Sequence, residues 1–399
     1  MQFHQNEPYD RFVAKLLRAE EEGSQLFFAT HRNTDELTTA VTRLFLGTQL
    51  QCAKCHDHPF EPWTQKDYHG MAGFFVRTFV VDGGGPPNDK RYFVGEKSTG
   101  DVLFSLPSKD PKVKSKGEPV KPKFLGGVEL KEPQMPMNFK EPKLKNNEQP
   151  PKPAFSRREK VVDWITQRSN PYLAKVAVNR VWAQYMGRGL VHPVDDFNSQ
   201  NDPSRPELLK ELADQFVQHH FDLKWLVREI VNSQAYQAAD TGPATEALPI
   251  FYERARVRPL SAEELTASLG VATGHNPDWA TKNNAMDQVL KFFGEPTDGQ
   301  GRFQGTLAEH LFLNNSDQLR GLCQPRKDNF AEKLVKGTES WDTKVDRMFL
   351  AVLNRKPTDV ERMRFVKHLQ NGSDTKATAQ RIEEALWALV SCSEFRFHR

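Results

Sequence analysis

Four potential metal or haem ligands crowd into seven residues: Cys52, Cys55, His56 and His58, within Cys52-Ala53-Lys54-Cys55-His56-Asp57-His58-Pro59-Phe60. The Cys-x-x-Cys-His spacing is that of covalent c-type haem attachment. Two thiols three positions apart can each add across one vinyl group of a single porphyrin, and the next residue places an imidazole under the iron as axial ligand. At this chain's own cysteine and histidine frequencies, the triplet arises by chance on the order of once in a thousand chains of this length. The same donors also suit a metal clip, because Zn²⁺ takes thiolate and imidazole ligands. All four cannot easily surround one ion on so short a loop, so a zinc site would draw a ligand from elsewhere, with His31 and His69 nearest. A reversible Cys52–Cys55 disulfide is a third reading, but no thioredoxin-like βαβ pattern surrounds the pair.

A low-spin haem electron carrier needs a sixth iron ligand. Met71, fifteen positions beyond His56, is the first candidate, with His69, Met135 and Met137 as further options. Core packing is the competing role for Met71, and an open sixth position would admit small-molecule or peroxide chemistry. Asp195-Asp196 with Glu207 offers carboxylates for hydrolysis or a cation. No nucleophile or phosphate loop accompanies them, so bracing of the turn before the Pro206 helix is expected instead. Arg180, in Asn179-Arg180-Val181-Trp182, could clamp a carboxylate or stack on an indole, with helix bracing again preferred. Cys323 and Cys392 either pair in an oxidising compartment or remain buried free thiols.

The elements that must position these groups are mainly helical. Apolar spacing predicts helices over 9–17, 34–50 (capped by Thr34, with Gly47 not ending it) and 64–75. Short β-prone pieces follow at Tyr92-Phe93-Val94 and Val102-Leu103-Phe104. Residues 107–153 hold 10 Pro and 11 Lys, which reads as an exposed, solvated linker. Beyond Ser156 the pattern is helical: 171–186, a Pro206 helix with Ser204 as cap, 223–236, a Ser261 capping box, 344–353, 358–369 and 378–390. The expected architecture is mainly α. A small N-terminal helical domain with the Cys/His loop (1–85) precedes a β-containing Pro/Lys-rich connector (86–155) and a larger helical domain (156–399).

Composition excludes several classes. The 399 residues suffice for two or three domains. With 55 Lys+Arg against 52 Asp+Glu the formal charge is +3, too balanced for a typical nucleic-acid binder. No apolar run approaches the roughly 18 residues of a membrane span, and four cysteines cannot build a disulfide framework. The opening Met1-Gln2-Phe3-His4-Gln5-Asn6-Glu7-Pro8 has no basic, apolar or small-residue segment of a secretory signal.

The run Phe45-Leu46-Gly47-Thr48-Gln49-Leu50-Gln51-Cys52-Ala53-Lys54-Cys55-His56-Asp57-His58-Pro59-Phe60, followed by Trp63-Thr64-Gln65-Lys66-Asp67-Tyr68, resembles the planctomycete cytochrome-associated domain of unknown function. The second half resembles its habitual partner, another domain of unknown function. It does so through Asn179-Arg180-Val181-Trp182, Gly187-Arg188-Gly189-Leu190-Val191, Asp195-Asp196-Phe197, Arg258-Pro259-Leu260-Ser261-Ala262-Glu263-Glu264-Leu265 and Asn354-Arg355-Lys356-Pro357-Thr358. The resemblance implies an exported bacterial protein of extracytoplasmic location, periplasmic or at the cell surface. Its expected partners are a redox partner or separate cytochrome module and polysaccharide-related proteins. It also implies that the chain begins inside the first domain, and it places Tyr more often where His69 stands. The leading expectation is haem c at Cys52, Cys55 and His56, serving electron transfer linked to surface polymer breakdown. The alternative is a non-catalytic scaffold with a zinc clip at Cys52, Cys55, His56 and His58, and the third is a hydrolase using the Asp195–Glu207 region.

Overall fold

The computed structural model describes residues 4–86, 90–104, 117–143, 148–238, 251–254, 257–275, 285–293, 306–372 and 374–398. Helices dominate, and the strands form two-stranded antiparallel pairs, as a mainly α chain requires. Two compact units divide it, Met1–Ala255 and Arg256–Arg399.

In the first unit, α1 (Tyr9–Arg18), α2 (Ser24–Thr30) and α3 (Thr34–Leu46) lead to a 3₁₀ turn at Gln51–Lys54 and to α4 (Gln65–Ala72). The cap of α3 is Asn33, whose side chain accepts from the Glu36 amide, and Gly47 ends the helix in the left-handed region at φ 63°. The expected run to residue 50 is therefore cut short. A Cβ on Gly47 would lie 2.7 Å from both Phe197 and Val176, so glycine here permits both the φ and the close approach. Thr64 and Asp67 close α4 with a capping box.

Strands β1 (Thr78–Asp82) and β2 (Tyr92–Glu96) pair antiparallel with Val80 opposite Val94, and β3 (Val102–Phe104) pairs with β4 (Glu118–Val120). Both β-prone pieces read from the sequence are thus strands. Most described residues of the Pro/Lys-rich stretch are exposed, as its composition led one to expect, but its middle portion is tied to the core. Leu125 is buried, Phe124 stacks on Phe74 and Trp164, and Lys123 pairs with Asp67 at 2.7 Å. Frequent proline disfavours regular structure here, apart from β4, but does not prevent burial of individual side chains, because a segment whose polar backbone is bonded elsewhere can still pack. The portions at 107–116 and 144–147 lie outside the described residues.

Helices α5 (Arg157–Ile165), α6 (Leu173–Met186), α7 (Pro206–Gln218) and α8 (Leu223–Val231) complete this unit. The buried Glu96 carboxylate, from β2, accepts from the Ser156 hydroxyl and the Arg157 and Arg158 amides. A strand residue thereby satisfies the start of α5. Ser204 does not cap α7; its amide and hydroxyl both donate to the Leu190 carbonyl. One apolar cluster runs from Val13 through Val94, Leu125 and Val162 to Tyr252. The expected boundaries near 85 and 155 are consequently not breaks in the core.

The second unit has its own core, from Ala262 to Phe395. Capping boxes at Ser261 with Glu264 and at Thr358 with Glu361 start its helices Ala262–Thr273 and Asp359–Gln370. Helices at Ala285–Phe293, Leu307–Asn315, Asp317–Cys323 and Phe330–Lys336 lie where the sequence reading had none. Arg355 bridges Glu361 and Glu394.

Candidate functional site

The Cys/His loop begins where Gly47 releases the chain from α3. Ala53 is fully buried and anchors the 3₁₀ turn, which turns Cys52, Lys54 and Cys55 outward. Both thiols are free and exposed. A compact polar set holds the turn from behind. Lys54 pairs with Asp35 at 2.7 Å, the Tyr68 hydroxyl donates to the same carboxylate at 2.9 Å, and His69 hydrogen-bonds the Lys54 backbone. Burial pushes the Asp35 carboxyl up, but the hydrogen bonds from Lys54 and Tyr68 outweigh it and hold the group below its usual range. Burial, reinforced by Asp35, keeps the Tyr68 phenol protonated.

His56 is exposed, with Nδ1 2.7 Å from the Asp57 carbonyl oxygen. A carbonyl only accepts, so Nδ1 carries a proton, and in the neutral ring Nε2 presents its lone pair. Metal-ligating histidines are oriented in the same way, by donating their second ring nitrogen to a carbonyl. His58 has the opposite arrangement. Its Nδ1 accepts from the Phe60 and Glu61 amides at 3.3 and 3.1 Å, which puts its proton on Nε2. The neutral ring is therefore a loop staple, with no free lone pair for a metal. His58 also donates its amide to the Trp63 carbonyl, and Asp57 accepts from the Gln65 amide.

The other ligand candidates lie elsewhere. Among the described residues no three His, Cys, Asp or Glu side chains gather as a metal-holding group. His31 bonds the Phe27 carbonyl through Nδ1, and the His69 ring packs on Phe104 at 4.7 Å. Met71 is fully buried in the core with Phe74 and Phe75, while Met135 and Met137 are exposed. Asp195 is engaged by Arg180 at 2.5 Å, Asp196 accepts from Asn201 through its backbone carbonyl, and Glu207 is exposed in the first turn of α7. The described contacts of Asp195 and Asp196 are those of a brace. Arg180 also donates to the Leu44 carbonyl, at the end of α3.

That brace touches the Cys/His loop, a contact that the sequence reading missed. Phe197 donates its amide to the Gly47 carbonyl at 2.9 Å. Ser199 donates its amide to Glu61 Oε1 at 2.6 Å and its hydroxyl to the Phe60 carbonyl at 3.2 Å. Both motif runs read from the two halves thus meet within one unit. Nothing in local spacing pairs residues 138 positions apart.

Thiol chemistry separates the cysteines. Burial pushes the Cys323 thiol up to about 12, and Cys392 is half-buried; of the two alternatives read for this pair, both are free thiols here. Iodoacetamide at pH 8 is expected to label Cys52 and Cys55 at least about a hundred-fold faster than Cys323. Peptide mass spectrometry would read the rates, and equal labelling in the native chain would contradict this placement.

Two family models match the chain. Residues 1–79 match PSCyt2, a protein of unknown function (DUF1549), and residues 157–288 match PSD1, a protein of unknown function (DUF1553). No curated protein and no solved structure matches it. Among the described residues no helix is long and apolar enough to cross a membrane. Glu61 falls within the first match and Ser199 within the second, so the chain carries the PSCyt2–PSD1 pair of domains of unknown function, joined at the Cys/His loop.

Proposed function

We propose that this chain is an extracytoplasmic c-type haem protein, with Cys52 and Cys55 as the attachment thiols and His56 as the axial ligand. The observation that carries the reading is the His56 tautomer. Its Nδ1–H is bound to the Asp57 carbonyl, which leaves Nε2 available beside two free, exposed thiols on one turn. In attachment each thiol would add its sulfur to one vinyl carbon and its hydrogen to the other, which consumes no oxidant. Once bound, haem supplies one-electron redox chemistry.

The chain's own groups hold the turn and the imidazole. Asp35, Tyr68 and His69 brace the turn through Lys54, and the capping box of α4 fixes the far end of the loop. Met71 is committed to the core, so its thioether is left out of the ligand set. A role in electron transfer for polymer breakdown at the cell surface rests on the family resemblance.

Expression of the full chain with a haem-ligation system, followed by an alkaline pyridine spectrum, tests the reading. A covalent haem band is expected for the native sequence and is abolished when Cys52 and Cys55 are both changed to alanine. A colourless protein overturns the proposal, and one that carries stoichiometric zinc replaces it with the scaffold and clip.

A further inference from the structure

We infer that residues 195–201 clamp the Cys/His loop into one arrangement, with Glu61 and Ser199 as the positioning residues. The inference rests on reading that loop as the working site, but not on haem itself.

Between Cys55 and Gln65 the chain has neither helix nor strand, and it contains Pro59 and Pro62. Its internal bonds close it on itself. His58 staples the Phe60 and Glu61 amides, and its own amide reaches Trp63. Such a small closed loop still pivots as a body unless its tip is tied to something rigid. The two bonds from Ser199 tie that tip, at Phe60 and Glu61.

The clamp is itself well anchored. Buried Asn179, on α6, binds the Val191 amide and carbonyl and the Val194 carbonyl. Arg180, one residue on, grips Asp195. Phe197 then bonds to and packs on Gly47, and Asn201 turns back on the Asp196 carbonyl. Rigidity thus passes from α6 through residues 194–199 to Phe60 and Glu61, then through the His58 staple to Asp57, whose carbonyl orients His56. The PSD1 portion would contribute preorganisation: an imidazole already aimed loses less entropy on binding.

The test uses the haem-free full chain, so its outcome is independent of whether haem attaches. In Glu61→Ala, deuterium exchange in the peptide spanning 56–64 is expected to rise about ten-fold, the loss of one charge-assisted hydrogen bond. The melting temperature should hold, because Ser199 and Glu61 bond at the surface. Nitrogen-15 NMR should then show the His56 imidazole losing its single Nδ1–H tautomer. Glu61→Gln keeps an acceptor oxygen and should behave as the native chain. Ser199→Ala, a milder variant, should raise exchange about three-fold through loss of one neutral hydrogen bond. Exchange and tautomer unchanged in Glu61→Ala and Ser199→Ala, or Glu61→Gln no better than Glu61→Ala, would overturn the clamp.

Discussion

Arg157→Ala is expected to destabilise the first unit by about 3–5 kcal/mol, the range for breaking a buried ion pair. The side chain is only 1 % exposed, yet all five of its N–H donors are used. Nε and one terminal nitrogen grip Glu132 at 2.8 and 2.5 Å, the latter also reaches Asp101 at 2.6 Å, and the other nitrogen binds the Gly73 and Gly100 carbonyls at 3.1 Å. One guanidinium thus ties the start of α5 to the end of α4, the strand region and the Pro-rich segment. Arg157→Lys keeps the charge but loses the planar fork, and should recover less than half of the stability. Urea unfolding of the first unit measures both, and a loss below about 1 kcal/mol would place the network among ordinary surface pairs.

The same network sets an acid dependence. Burial raises the Glu132 carboxyl, but the Arg157 hydrogen bonds and charge outweigh it and hold the group below its usual value of 4.5. A depressed carboxylate stabilises fully above its unfolded value, and the contribution is lost as pH falls through the folded one. The stability gap between the native chain and Arg157→Ala should therefore be constant near neutrality and narrow below about pH 4.5.

Asn179→Ala should cost the same unit about 3 kcal/mol, since it leaves buried backbone groups unpaired and opens a small void. The residue is fully buried, and its amide accepts from the Val191 N–H and donates to the Val191 and Val194 carbonyls at 2.9 to 3.0 Å. Gly189 makes room for this arrangement, because a Cβ there would lie 2.3 Å from the Val191 oxygen. Asn179→Asp preserves the shape but sets a carboxylate oxygen against two carbonyls, so it should be at least as damaging. Differential scanning calorimetry would compare the two, and a tolerated aspartate would mean that the void, not the hydrogen bonding, sets the cost. Both variants should also loosen the 56–64 loop, since Asn179 anchors the clamp.

Local structure was largely legible in the residues. Thr64, Ser261 and Thr358 announced their helices through side chains that bond three residues on, and the apolar spacing of α1 and α6 matched their buried faces in part, with Phe12 of α1 left exposed. Gly47 was misjudged because its conformation answers to Phe197 and Val176 as much as to α3. The Pro/Lys-rich stretch is mostly exposed, as its composition suggested, but composition does not report that Leu125 and Glu132 find partners.

The sequence by itself determined the mainly helical class, several helix starts, and a triplet of two thiols and an imidazole at haem-attachment spacing. All of these depend on neighbours within a few residues, where backbone geometry fixes who can meet whom. Only the tertiary structure decided that His56 and His58 hold opposite tautomers, that Met71 belongs to the core, and that Ser199 holds Glu61. The tautomers follow from the exact path of the 56–61 loop, which residue spacing does not give, and the other outcomes depend on groups far apart in the chain, brought together only by packing.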